Sequence, residues 1–285
     1  MTGLERQLPL DRHARDLNLA NWNERVGVHL GDGGYDLSTH RAGKGELDAI
    51  VAGEIGDVAG LRILHLQCHI GHDSIALAQR GASMVGVDFS GAAIEAAHRL
   101  AQECGVETAT FVESDVYEAP DVLSADLGGF DLVFTTWGAI CWLPDLLHWA
   151  RVIRQFLRPG GAFYFAETHP VALVFDDISG DADADGRPIW LVPYFEREPH
   201  IFDEATDYAH RGVKLTHSRS VQWMHPLADI LAALKAADMD LDFLREHDRI
   251  PYQMFPSLVR DRDGLWTWPR QPWLPLALSL RAIAR

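Results

Sequence analysis

Leu61–Ser90 reads LRILHLQCHIGHDSIALAQRGASMVGVDFS, and its hydrophobic pattern changes period twice. Arg62–Leu66 is a short apolar run of the kind that forms a buried strand. His72–Arg80 carries apolar residues at helical spacing, and Gly81 follows where a helix C-terminus takes glycine. Met84–Asp88 is a second apolar run that ends on an acidic residue. Strand, tight loop, helix and strand make the layout of a nucleoside-binding crossover. A dinucleotide site would place G-x-G-x-x-G in that loop, so that a pyrophosphate can approach the backbone. Gln67, His69 and His72 stand there instead. Their side chains disfavour NAD and FAD. A ligand with an adenosine and no pyrophosphate is less affected.

The pattern continues outward. Ser90 has the position of an N-cap for an alanine-rich helix ending near Gly105. Ala109–Val112 and Asp131–Thr135 read as the third and fourth strands. Asp145–Leu157 reads as an amphipathic helix, Arg158–Gly161 as the turn that stops it, and Ala162–Glu167 as the fifth strand. Strands alternating with helices at this spacing predict right-handed crossovers and a mostly parallel sheet. After Glu167 the rhythm breaks into an acidic, turn-rich stretch, Asp176–Gly186, and short aromatic segments. A helix is expected from Pro226 to about Ala237, with strands at Asp240–Glu246 and Leu276–Ala284. A proline-rich loop with Trp266, Trp268 and Trp273 joins these strands. Residues 1–60 are mixed and polar, with helical pieces and a glycine-rich break at Gly31, Gly33 and Gly34.

Composition narrows the function. The 285 residues are 47% hydrophobic, enough for one well-packed domain. A formal net charge of −16 and the lack of a Lys/Arg cluster argue against nucleic acid. Three scattered cysteines fit a reducing compartment. The N-terminal residues are too charged for a signal peptide, and no apolar run is long enough for a bilayer. The expectation is a cytoplasmic protein without a membrane partner.

Five motifs in order resemble class I S-adenosylmethionine-dependent methyltransferases. Ile63–Gly71 stands where that family carries hydrophobic-Leu-Asp-hydrophobic-Gly-x-Gly-x-Gly, and only the last glycine is kept. Val85–Ser90 resembles the second motif and Phe111–Val116 the third. Phe130–Thr135 resembles the fourth strand, and Leu157–Gly161 the turn before the fifth. The altered first loop, LHLQCH-x-G, resembles a subgroup in which Asn-Trp and Tyr-Asp pairs precede the core, here Asn21-Trp22 and Tyr35-Asp36. The resemblance implies an α/β, doubly wound, mostly parallel seven-stranded Rossmann-like sheet with an antiparallel C-terminal strand. It implies a single domain, with an N-terminal lid (1–60), a cofactor-binding core (61–167) and an inserted lid (168–224). A C-terminal helix and strands (225–285) complete the sheet.

It further implies S-adenosylmethionine as cofactor, S-adenosylhomocysteine as product, and a small, partly apolar acceptor. Asp88 is the expected ribose ligand, with Phe89 and Ser90 beside it. Asp115 is the expected adenine contact, with Ser114 and Val116. Gln67, Cys68, His69 and Gly71 form the first loop, where Gln67 and His69 can add side-chain hydrogen bonds. Tyr35 and Thr135 complete the expected cofactor contacts. Trp22, Trp137, Trp142 and Tyr252 are candidates for the acceptor wall. His169, just after strand five, is the candidate general base, needed only if the nucleophile loses a proton. Exposed aromatics in the insert suit a homodimer.

Other readings stay open. One is a non-catalytic cofactor-binding protein on the same fold, and another is a peptide-modifying enzyme. A remote reading makes His65, Cys68, His69 and His72 a metal centre, although a strand followed by a tight turn points such side chains apart. His65 reads better as a structural histidine, and Cys68 as a small buried residue.

Overall fold

The computed structural model describes residues 12–176, 183–184, 187–210 and 212–285. The charged segment before residue 12 and most of the acidic stretch 176–186 lie outside the described residues. In chain order, the first elements are helices α1 (Arg12–Leu30), α2 (Ser38–Arg41) and α3 (Ala49–Glu54). The crossover follows as β1 (Arg62–Leu66), α4 (His72–Gln79) and β2 (Ser83–Asp88). Next come α5 (Gly91–Glu103), β3 (Ala109–Glu113), α6 (Ala119–Val122), β4 (Phe130–Thr136), α7 (Leu146–Phe156) and β5 (Leu157–Thr168). The insert carries β6 (His200–Asp203) and β7 (Arg219–Gln222). The chain then forms α8 (Leu227–Ala236), β8 (Met239–His247), β9 (Arg249–Ile250), β10 (Val259–Arg260), β11 (Trp266–Thr267) and β12 (Ala277–Ala284).

Seven strands form one sheet in the order β3-β2-β1-β4-β5-β12-β8. Strands β1 to β5 are parallel to one another, and β12 runs antiparallel to both β5 and β8. The expected doubly wound sheet with an antiparallel C-terminal strand is what the chain forms. In β1, Ile63, Leu64 and Leu66 are fully buried, because helices cover both faces. On one face α7 and α8 pack Trp149, Ile153, Phe156, Ile230 and Leu234 against the sheet. On the other, α4 and α5 contribute Ala76, Leu77, Ala97 and Leu100.

Arg158–Gly161 does not stand outside the sheet as a simple turn. Leu157 pairs with Phe130 and Ala162 with Leu132, so the Pro-Gly-Gly segment is a bulge within β5. Ser90 caps α5 as expected, its Oγ accepting the Ala93 N–H.

Strand order reverses between β1 and β4, and open parallel sheets bind ligands at such a point, beyond the strand C-termini. Over this edge lie α1 and the β6–β7 hairpin. Asn18 holds β7 through both backbone groups of Val221 (2.9 and 2.7 Å), and Asn21 donates to the His217 carbonyl.

Candidate active site

A cavity of about 590 Å³ opens at this edge. The loop after β1 forms its floor. Gln67, His69 and Gly71 have φ of 60°, 49° and 72°. The loop therefore keeps a left-handed backbone where the related motif has glycines. Two of the three positions carry side chains, each at a cost of about 1–2 kcal/mol. Gln67, which lines the cavity, donates from Nε2 to the Ala139 carbonyl (2.7 Å), while its Oε1 is buried without a partner.

Asp88 ends β2 on the cavity wall. Its Oδ2 accepts the His69 N–H (2.8 Å) and its Oδ1 the Ser90 N–H (2.9 Å). Burial pushes this carboxyl up to about 6 in spite of those bonds. Each oxygen keeps acceptor capacity for a hydroxyl. Asp115, on the loop after β3, is more heavily engaged: its Oδ2 pairs with Arg15 (2.8 Å) and its Oδ1 accepts the Tyr117 N–H.

The loop after β4 is clamped by one carboxylate. Glu167 accepts the N–H groups of Gly138 (2.6 Å), Ala139 (2.7 Å) and Thr168 (2.7 Å). Burial raises its pKa, and those backbone donors oppose the rise. Trp137 Nε1 bonds Asp48, and Trp142 Nε1 bonds the Gly138 carbonyl, so both rings are fixed at the wall. Trp22 from α1 meets Trp142 edge-on at 5.4 Å. Tyr252 faces the same space and bonds Thr168. The four expected acceptor-wall residues thus share one cavity.

Of the expected cofactor contacts, Tyr35, Gln67, Cys68, His69, Asp88, Phe89, Ser114, Asp115 and Val116 line the cavity. Gly71, Ser90 and Thr135 do not line it. Gly71 sits under Phe111, where a Cβ would approach the ring to 2.6 Å, so it serves packing. Ser90 is spent on its helix cap and on Asn23. Thr135 points into the core, and strand alternation puts Thr136 on the cavity instead. His169 does not line the cavity either. Its Nδ1 accepts the Val171 N–H and its Nε2 lies 3.0 Å from Glu246, away from the cavity wall.

His65 bonds Ser74 and is held down to about 4, chiefly by burial. Burial, and then Asp88, raise the Cys68 thiol well above its ordinary range, which leaves it a poor nucleophile. His69 bonds His29, and His72 lies beside Asp73. The four proposed metal ligands thus turn to separate partners. Among the described residues, no group of three or more His, Cys, Asp or Glu is placed to hold a metal.

The insert adds residues the sequence did not single out. His200 and Phe202 on β6 and Glu204 just after it alternate toward the cavity, with Gln222 opposite His200. The His200 Nε2 is buried and unpartnered. Burial raises the Glu204 carboxyl, with Arg25 opposing. Asp207 accepts from Arg25 (2.8 Å) and contacts His29 (3.1 Å), and both partners lie on α1.

Residues 64–163 match the family model described as a methyltransferase domain. This stretch, which runs from β1 into β5, is similar to a methyltransferase domain. A solved S-adenosylmethionine-dependent methyltransferase from Mesorhizobium loti shares its fold. The TM-score is 0.56 at 23% identity, covering 82% of this chain and 95% of the other. The domain is 34% identical over 125 residues to a demethylmenaquinone methyltransferase of Clavibacter sepedonicus, covering 42% of this chain and 47% of that one. It is 27% identical over 128 residues to a ubiquinone biosynthesis O-methyltransferase of Bordetella avium, covering 44% and 51%. The chain spans about half the length of these curated relatives. Among the described residues, no helix is long and apolar enough to cross a membrane.

The donor set fits S-adenosylmethionine, for which the solved protein of the same fold is named. Asp88 offers a buried carboxylate with spare acceptor capacity, and Gln67 Oε1 is an orphaned acceptor. The tight loop with side chains at 67 and 69 suits an adenosine ligand better than a pyrophosphate.

Proposed function

We propose that this protein moves the methyl group of S-adenosylmethionine to a small, flat, partly apolar acceptor. The observation that carries the reading is the sheet edge itself. Asp115, Asp88, the Gln67–His69 loop and the Glu167-clamped Trp137–Trp142 loop follow one another across β3, β2, β1, β4 and β5 in one cavity. In this reading Asp88 takes the ribose hydroxyls and Asp115 the adenine amino group. Residues 1–60 and 168–224 act as lids over the core of a single domain, and the altered first loop marks the LHLQCH-x-G subgroup.

The cofactor supplies a methyl group already activated on a sulfonium. The protein's work is alignment and exclusion of water. Trp22, Trp137, Trp142, Trp223 and Tyr252 supply apolar walls suited to an aromatic ring. The curated relatives named for ubiquinone biosynthesis and demethylmenaquinone support a quinone-like ring as the acceptor class. Glu204 and His200 face the acceptor side from the insert. They line the cavity, which His169 does not, and are the groups assigned here to receive a proton from a hydroxyl nucleophile. The reading places the protein in the cytoplasm, with no nucleic-acid partner.

The test is calorimetric titration with S-adenosylmethionine and S-adenosylhomocysteine, followed by product assays over a set of quinols and phenols. Saturable binding of both and turnover of at least one ring hydroxyl are expected. A folded protein that binds neither ligand overturns the reading.

A further inference from the structure

His29, His69 and Asp207 come from three separate segments: α1, the loop after β1 and the segment after β6. His29 is fully buried and Asp207 nearly so. His29 Nε2 lies 3.1–3.2 Å from the two Asp207 oxygens, and His29 Nδ1 lies 2.7 Å from His69 Nε2. Arg25 Nη1 donates to Asp207 Oδ2, and the Ala209 N–H donates to Oδ1. Tyr35 stacks on His29 at 4.8 Å and bonds Tyr208.

The carboxylate fixes the protons along this chain. A carboxylate only accepts, so His29 Nε2 carries the hydrogen toward Asp207. A neutral His29 then has its lone pair on Nδ1 and accepts from His69 Nε2–H. His69 is left with its lone pair on Nδ1. Burial is the main cause that holds the His69 pKa well below its ordinary value. His69 Nδ1 has no hydrogen-bond partner among the described residues, and His69 lines the cavity.

The position on the sheet says what that lone pair meets. Asp88 on β2 accepts the His69 N–H, and the His69 ring meets Trp22, which in turn meets Trp142 of the loop after β4. With the adenosine over β3 and β2, the space over β1 and β4 takes the sulfur and amino-acid end. Gln67, whose Oε1 is buried and unpartnered, lines the same cavity. Both residues hold left-handed backbone that glycine would adopt without strain, so each side chain is kept at a conformational cost.

Resting on the methyltransferase reading, we infer that Asp207, His29 and His69 form a hydrogen-bonded relay that presents His69 Nδ1 to the ammonium group of the ligand's amino-acid end, with Gln67 Oε1 as a second acceptor. His69 touches the ligand in this arrangement; His29 and Asp207 are positioning residues that set its tautomer. The relay also ties the lid segments to the loop on which the ligand lies.

Two probes separate this role from general pocket damage: S-adenosylhomocysteine, which carries the ammonium, and 5′-methylthioadenosine, which lacks the amino-acid end. The His69→Gly variant restores the residue that the backbone angle favours and so guards against misfolding. It is expected to weaken S-adenosylhomocysteine roughly 10- to 100-fold, the loss of a charge-assisted hydrogen bond. 5′-Methylthioadenosine should stay within about twofold, because the adenosine contacts are untouched. His69→Asn should recover part of the loss, since asparagine tolerates positive φ and carries an acceptor oxygen. Asp207→Asn should show the same selectivity with a smaller loss. Equal losses for the two ligands, or unchanged affinity in His69→Gly, would overturn the assignment. Unchanged selectivity in Asp207→Asn would remove the relay. If wild type binds neither probe, the methyltransferase reading fails first, and the relay with it.

Discussion

The two walls of the cavity are built on different physical principles. The sheet wall is apolar structure finished with a few polar groups: buried Ile63, Leu64 and Leu66 carry the loop that ends at Asp88's hydrogen bonds. The lid wall is the reverse. Helix α1 buries Asn18, Asn21, Arg25 and His29, and this polar stripe docks on the insert through hydrogen bonds and ion pairs. An apolar wall loses stability gradually as atoms are removed. A polar latch fails when one partner is lost, because the others stay buried and unpaired.

The largest expected effect follows from that difference. Asp207→Ala leaves Arg25 and His29 without their carboxylate, at a cost of about 3–5 kcal/mol. Hydrogen exchange should show α1 and the β6–β7 hairpin deprotected while β1 and β4 stay protected. Uniform loss across the sheet would contradict the division. Asn18→Ala removes both partners of the Val221 backbone and should cost about 1–3 kcal/mol in the same region.

On the sheet wall, Asp88→Ala should weaken S-adenosylhomocysteine binding by about 1–3 kcal/mol with the fold retained. Full affinity in the variant would reject its ribose role. Arg15→Ala should change stability by no more than about 1 kcal/mol, because the Arg15–Asp115 pair is partly exposed. A larger loss, read from thermal melts, would mean that Arg15 belongs to the latch.

Acid should separate the walls by sign. The Asp88 carboxyl is raised to about 6, so the folded protein holds this proton more tightly than the unfolded chain does. Its contribution to stability falls as pH rises from the unfolded value through 6. Ligand affinity, which needs the ionised form, should fall as pH drops through about 6. For Asp207, burial raises the pKa, but His29, the Ala209 N–H and Arg25 outweigh it and the net position is below the usual carboxylate value. Its contribution is present above that usual value and is lost as pH falls through its lower folded value. Titrations of affinity and of lid protection should therefore break at different pH, affinity first. A single shared transition would contradict the assignment.

The same contrast explains what could be read from residues alone. The β1–α4–β2 crossover, the Ser90 cap and Asp88 were legible because apolar periodicity and capping chemistry are local. The polar stripe of α1 was not. Its residues look like a solvated helix face, and their partners lie about 200 positions away, as Asn18 and Val221 do. Thr135 failed by one step of strand alternation: Thr136 carries the cavity-facing hydroxyl, bonded to Asp73. His169 was correctly placed after β5, but its ring turns toward Glu246 on β8, a neighbour that only the completed sheet supplies. Asp88 needed only its own strand end. His69 needed α1 and the insert before its role became visible.

The most direct measurement is a crystal structure with S-adenosylhomocysteine bound. The account predicts ribose hydroxyls within hydrogen-bond distance of Asp88, and the ligand's ammonium beside His69 Nδ1 and Gln67 Oε1. It also predicts the sulfur facing the space between Trp137 and Trp142. A ligand bound elsewhere, or bound with the Asp88 carboxylate turned away from the ribose, would contradict it.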